Sequence, residues 1–174
     1  MKILVSGNAG AGKSSLGRRL AQKYNLPLFG LDKIVWQSGW KKTPQEEKDR
    51  RINEILEKDS WVLEGITKSG LKEADVVYFL DIHPIRCALN VIKRFIKNGL
   101  GSRPELPEGC PEYIGFLKAL KTNFIFHKIT KPWLLDKSQR KEGAKFIRIK
   151  SYKEIDEALC ILAVSHGGIS LIQQ

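Results

Sequence analysis

No apolar run in this sequence is long enough to cross a bilayer: stretches such as Val76 to Leu80 hold a handful of residues where about 20 are needed. A membrane is therefore not expected among the partners. A signal peptide is not expected either, since Met1 to Ser6 leads straight into Gly7, and a cytoplasmic protein is expected. Cysteine is scarce. Cys87, Cys110 and Cys160 are odd in number and widely spaced, with no Cys-x-x-Cys pair and no His at zinc-ligand spacing, so reduced and mostly structural thiols are expected. Repeats, low-complexity tracts and interdomain linkers are absent. The 174 residues are expected to form one domain, 1–174, able to bury a core without metals or disulfides.

Acid is also in deficit, with 19 Asp and Glu against 30 Lys and Arg for a net charge of +11. The imbalance is uneven. Residues 1–59 carry 12 basic and 7 acidic groups and residues 60–116 carry 7 of each, whereas 117–150 carry 10 basic and 2 acidic groups and 151–174 carry 1 and 3. A basic surface that steers anionic nucleotides is one reading of the late stretch, and nucleic-acid binding is another.

What is present is an alternation of short β-branched runs with amphipathic segments. Lys2 to Val5, Pro27 to Phe29, Trp61 to Leu63, Val76 to Leu80 and Lys145 to Ile149 read as buried strands. Helices are expected over Lys13 to Tyr24, from a Thr43 N-cap to about Lys58, from Pro84 to about Lys97, over 112–130, and over Tyr152 to Ala163. The third of these carries Ile85, Leu89, Ile92 and Ile96 on one face. Such alternation implies an α/β fold, a parallel sheet covered on both faces.

The first strand runs into Gly7, Asn8, Ala9, Gly10, Ala11, Gly12, Lys13, Ser14, followed by Ser15, and this matches the phosphate-binding P-loop pattern in its strand-to-helix context. Glycines let backbone N–H groups converge on phosphate oxygens, and the helix N-terminus adds partial positive charge. Lys13 is placed for the β- and γ-phosphates of ATP and the Ser14 hydroxyl for Mg²⁺. Mg²⁺ also needs a carboxylate nearby. Glu64 and Asp81 both end strands; pattern favours Asp81, while position beside the first strand favours Glu64, the preferred candidate.

Asp32 lies just past the second strand, where an open parallel sheet has its ligand crevice. It is a candidate to receive a proton from, or position, the hydroxyl of a phosphoryl acceptor, and equally a helix cap. Trp36 and Trp40 flank a Gly39 turn and suit either ring stacking or core packing. Arg86, Lys93 and Lys97 share one helix face, with Arg94 about 80° away, and the stripe runs into a Gly/Pro-rich loop carrying Arg103. A mobile lid over about 94–111 would bring such cations onto a transferring phosphate.

With these parts in place the sequence resembles the adenylate-kinase-related P-loop kinases, most closely the DNA topology modulation protein family. The likeness rests on Leu31-Asp32-Lys33-Ile34-Val35-Trp36 with Gly39-Trp40, Trp61-Val62-Leu63-Glu64-Gly65, Ala74-Asp75, Lys93-Arg94, and Arg103-Pro104 through Gly109-Cys110-Pro111-Glu112, with Phe146 to Ser151 a weaker match. It implies a five-stranded parallel sheet of order 2-3-1-4-5, ATP as donor, and a nucleotide-like or other small acceptor bound by about residues 32–70. Lys13, Arg94 and Arg103 would stabilise phosphoryl charge and Asp32 would handle the acceptor. The chain departs from adenylate kinases in having Glu64 where they usually have Asp, in lacking their Gly-Phe-Pro-Arg run after Gly65, and in placing Asn90 four residues before Arg94.

Overall fold

The structure, a computed structural model, describes residues 1–98 and 106–161. At its centre lies β1 (Lys2–Gly7), paired in parallel on one side with β5 (Trp61–Glu64) and on the other with β6 (Val76–Leu80). β2 (Leu28–Gly30) extends the sheet beyond β5, and β7 (Lys145–Ile149) beyond β6. The order is β2-β5-β1-β6-β7; counting only these five strands along the chain, it is the 2-3-1-4-5 expected. A two-residue hairpin, β3 (Trp36–Gln37) with β4 (Lys41–Lys42), stands apart from the sheet.

The central strands hold uninterrupted apolar runs, Ile3 to Val5, Trp61 to Leu63 and Val76 to Leu80, because both of their faces are covered. Ile3 and Val5 of β1 join Tyr78 and Leu80 of β6 on one face, while Leu4 joins Val77 and Phe79 on the other, all fully buried. The first face is closed by α1 (Lys13–Tyr24) and α8 (Glu154–Ile161) through Leu16, Leu20, Ala158 and Leu159. The second is closed by α2 (Leu31–Val35), α3 (Gln45–Leu56), α4 (Lys68–Glu73) and α7 (Lys131–Leu135) through Ile34, Ile52, Ile55, Leu71 and Leu134. Each such leucine or isoleucine contributes roughly 1.5–3 kcal/mol by leaving water.

Several local expectations are corrected. Thr43 does not cap α3: the capping position is Pro44, and Thr43 is a buried residue whose backbone N–H donates to the Val35 carbonyl. The span 112–130 is not one helix. α6 (Glu112–Ile125) passes through a π-helical turn, Phe126–Thr130, into α7, a widening that seats Phe126 in the core against Phe79, ring centroids 6.3 Å apart. α4 is a helix the pattern did not reveal, its six residues being too few for a readable period. The remaining helix, α5 (Pro84–Asn98), occurs where expected, but Ile85, Leu89, Ile92 and Ile96 face outward; only Cys87 and Val91 are buried in it.

Asp81, just past β6, is held by three bonds. Arg148 donates from Nε (2.8 Å) and Nη2 (2.5 Å), and Lys131 Nζ lies 2.8 Å from its other oxygen. Burial alone would raise the Asp81 carboxyl, but the bonds from Lys131 and Arg148 outweigh it and hold it below the ordinary 3.8. A carboxyl with a depressed folded-state pKa adds stability that is present above the unfolded value near 3.8 and lost as pH falls through the folded value. Thermal melts of Asp81→Asn should therefore fall below those of the parent at neutral pH, and the gap should close as the pH drops below about 4. A gap as wide at the acid end of the series as at neutral pH would contradict this.

Candidate functional site

The carboxyl ends of β1, β2 and β5 open into one cleft of about 760 Å³. The P-loop forms its floor, and the glycine requirement is sharpest at Gly10. Its φ is +79°, and a Cβ there would stand 2.2 Å from the Cys87 carbonyl oxygen on α5. Gly10→Ala is expected to displace the loop from α5 and lower nucleotide affinity at least about tenfold, with a loss of 1–3 kcal/mol in stability, readable by calorimetric titration and melting. Unchanged affinity would show that the loop yields without consequence for the ligand.

Three asparagines hold the loop in place. Asn8, almost fully buried, accepts from the Ala9 N–H at 2.8 Å and donates to the Asn123 carbonyl of α6 at 3.0 Å, while the Asn123 side chain donates to the Ala9 carbonyl at 3.3 Å. Asn90 of α5 donates to the Gly10 carbonyl at 3.0 Å and lies 2.7 Å from the Tyr152 hydroxyl. Sequence reasoning missed Asn123 and Tyr152. No local signal points to them, for they lie more than 100 residues from the loop they hold.

Lys13 opens α1, and its ammonium donates to the Asn8 carbonyl at 2.9 Å, curling back over the loop. Burial lowers its pKa, against the charges of Asp32 and Glu64, which raise it, while Arg94 lowers it further. That balance identifies Lys13, Asp32, Glu64 and Arg94 as one electrostatic group, and all four line the cleft. The next residue, Ser14, donates its hydroxyl to Glu64 Oε1 at 2.6 Å. β5 lies directly beside β1, with Val5 level with Glu64, so the strand order sets this carboxylate beside the P-loop serine. Asp81 is instead engaged with Arg148 and Lys131. Ser15 is exposed, and Arg18, one turn further along α1 and unremarked in the sequence reading, also faces the cleft.

Asp32 does not cap the segment 33–36; it is the second residue of α2 and is exposed to the cleft. Trp36 and Trp40 meet edge to face, centroids 5.3 Å apart, and line the cleft wall rather than filling the core. Lys118 of α6 sits with Nζ 3.9 Å from the Trp36 centroid, a cation–π contact the sequence did not suggest. The Trp40 indole N–H donates to the Pro111 carbonyl at 3.0 Å, and a Cβ on Gly115 would lie 2.4 Å from the Trp40 ring, so α6 packs directly on it. Of the basic stripe, Lys93, Arg94 and Lys97 line the cleft. Arg103, with residues 99–105 of the lid that was expected around it, and the tail from Ser165 lie outside the described residues.

The basic stretch 117–150 does not form one strip. Lys118 turns to the tryptophans, Lys131 and Arg148 to Asp81, Lys141 to Asp75, and Arg140 over the Phe146 ring at 4.0 Å. No group of three or more His, Cys, Asp or Glu residues suited to a metal ion occurs among the described residues, and no described helix is long and apolar enough to cross a membrane. A serine hydroxyl beside one carboxylate is a hard oxygen donor set of the kind Mg²⁺ takes when phosphates and water complete its shell.

Over nearly its whole length the chain has the fold of the P-loop kinases. It superposes on shikimate kinase from Acinetobacter baumannii, solved with shikimate, at a TM-score of 0.57 with 16% identity, over 96% of this chain and 95% of that one. An uncharacterized protein from Eubacterium ventriosum ATCC 27560 gives 0.55 and 19%, over 95% and 97%. In sequence, 55 residues are 46% identical to shikimate kinase of Rhodococcus jostii strain RHA1, a match spanning 32% of this chain and 27% of that enzyme. No family model matches the chain.

Proposed function

We propose that this protein is an ATP- and Mg²⁺-dependent phosphotransferase acting on a small hydroxyl-bearing acceptor, with the whole chain serving as one P-loop kinase domain. The observation that carries this reading is the Ser14–Glu64 hydrogen bond beside Lys13, with Asp32 facing the same cleft. The strings that resemble DNA topology modulation proteins support placing it in that branch of the adenylate-kinase-related enzymes.

Chemically, the acceptor oxygen forms a bond to the γ-phosphorus as the bond from that phosphorus to the bridging oxygen breaks, and ADP leaves. The acceptor's hydroxyl proton passes to the Asp32 carboxylate. The P-loop amides and Lys13 hold the β- and γ-phosphates, and Arg94, with Arg103 from the lid, offsets the charge on the transferring group. Mg²⁺ would be held by the Ser14 hydroxyl and, through water, by Glu64, supplying positive charge to the phosphate oxygens. Trp36 and Trp40, edge to face, offer apolar ring surface for the body of the acceptor.

The test is a panel of nucleosides, nucleoside monophosphates, small alcohols and shikimate, the last because the Acinetobacter baumannii and Rhodococcus jostii relatives are shikimate kinases. At least one compound should accelerate ADP release well above background and return as its phosphate ester. If none does while ATP binds, the transferase reading falls and an ATP-binding module remains.

A further inference from the structure

We propose that the face of α5 and α6 turned away from the cleft docks the protein on an anionic lipid surface. On a helix turning about 100° per residue, Ile85, Leu89, Ile92 and Ile96 fall within about 60° of one another. Their exposures are 64%, 50%, 37% and 75%. On α6, Tyr113, Leu117 and Phe124 fall within about 40°, and Leu117 and Phe124 are 71% and 68% exposed.

The two stripes form one surface. Phe95 of α5 stacks on Phe116 of α6 with centroids 4.5 Å apart, marking the seam, and late α5 meets early α6 there. Asn90, earlier in α5, and Asn123, later in α6, both reach the P-loop, so the helices run antiparallel. With that geometry each apolar stripe lies on the same side of the seam, and Asn90, Lys118 and Thr122, which line the cleft, lie on the other. A soluble surface rarely exposes this much contiguous apolar area unless something covers it.

The charge around the patch selects what covers it. Between Pro84 and Asn98 the side chains include Arg86, Lys93, Arg94 and Lys97 and no acid; on α6 and the turn after it Lys121 and Lys128 are exposed, Lys118 and Lys131 being held at the tryptophans and at Asp81, and the one acid of α6 is Glu112 at its first residue. Arg86, Lys93 and Lys97 flank the α5 stripe and Lys121 flanks that of α6, so cations border the patch on both sides. A second copy would bring the same cationic borders together. Residues 162–174 contain no acidic side chain to match them. An apolar face with a basic rim is the pattern of an interfacial helix on anionic lipid, where buried apolar area and attraction to headgroups act together. Docking in this way leaves the cleft open to water.

The experiment is cosedimentation of the full chain with vesicles of phosphatidylcholine alone or mixed with phosphatidylserine. Binding is expected to the mixed vesicles and to weaken with added salt. Leu89→Glu with Ile96→Glu should lower partitioning at least about a hundredfold. Lys121→Gln with Lys128→Gln should lower it about fivefold per lysine. All four positions are exposed and lie outside the cleft lining, and circular dichroism checks that the folds match. Absence of binding, or binding indifferent to the Leu89 and Ile96 changes, overturns the proposal. So does a dimer seen by light scattering that those changes split while vesicles are ignored, which would assign the face to a second copy.

Discussion

Replacing Lys13 with Ala is expected to reduce ATP turnover by about 10²–10³-fold and to remove measurable ATP binding, while leaving the melting temperature nearly unchanged. Stability should hold because the ammonium is a burden to the fold as much as a support. Burial pushes its pKa down, and the charges of Asp32 and Glu64 offset only part of that. Its bond to the Asn8 carbonyl is lost on substitution, but Asn8 stays anchored by its side chain to Ala9 and Asn123. Binding should collapse because the Lys13 ammonium is bonded into the P-loop itself, at the Asn8 carbonyl, and a desolvated charge on phosphate oxygens acts with little screening. Lys13→Arg should not rescue, since a planar fork does not replace a compact ammonium in a loop of this curvature. ATP binding at parental affinity in the Lys13→Ala protein would refute the assignment of this loop.

Asp32→Asn is expected to lower kcat by about 10²–10⁴-fold with ATP affinity retained. The amide keeps the size and hydrogen-bonding reach of the carboxylate but accepts no proton. Its position at the start of α2, exposed to the cleft, suits contact with a substrate hydroxyl. A second readout separates this from a structural role. The Asp32 charge raises the Lys13 pKa, so removing it should bring the alkaline loss of the residual activity to lower pH than in the parent. Unchanged kcat together with an unshifted alkaline limb would reduce Asp32 to a helix-start residue.

The legibility of the chain follows the range of the interactions involved. The P-loop pattern spans nine consecutive residues, so the motif and its strand-to-helix setting were readable together. Central strands buried on both faces announce themselves as uninterrupted apolar runs, and three of these with two edge strands and the intervening helices made the sheet legible. The order of those strands came from resemblance, and pairing registers then carried it into space, level by level from Lys2 opposite Trp61 to Val5 opposite Glu64. The choice between Glu64 and Asp81 illustrates the limit. As sequence, both are acids at strand ends. Only the neighbouring strands and two distant cations, Lys131 and Arg148, turn one toward Ser14 and occupy the other.

Periodicity likewise predicted that α5 would have an apolar stripe but carried no information about what the stripe would face. A repeat of 3.6 residues specifies which side chains stand together on a helix, and the neighbours are set by packing. Here α6 takes the Phe95 flank and the P-loop takes the Asn90 flank, leaving Ile85, Leu89, Ile92 and Ile96 outward. The Asn8–Asn123 clamp and the Lys118–Trp36 contact join residues 115 and 82 positions apart, with no local pattern at either end. The sequence by itself determined the glycine-rich strand-to-helix loop and the strands behind it, because each is encoded in adjacent residues. The tertiary structure alone decided which carboxylate meets Ser14, which tryptophans line the cleft and which helix face meets solvent, because those depend on contacts between segments distant along the chain.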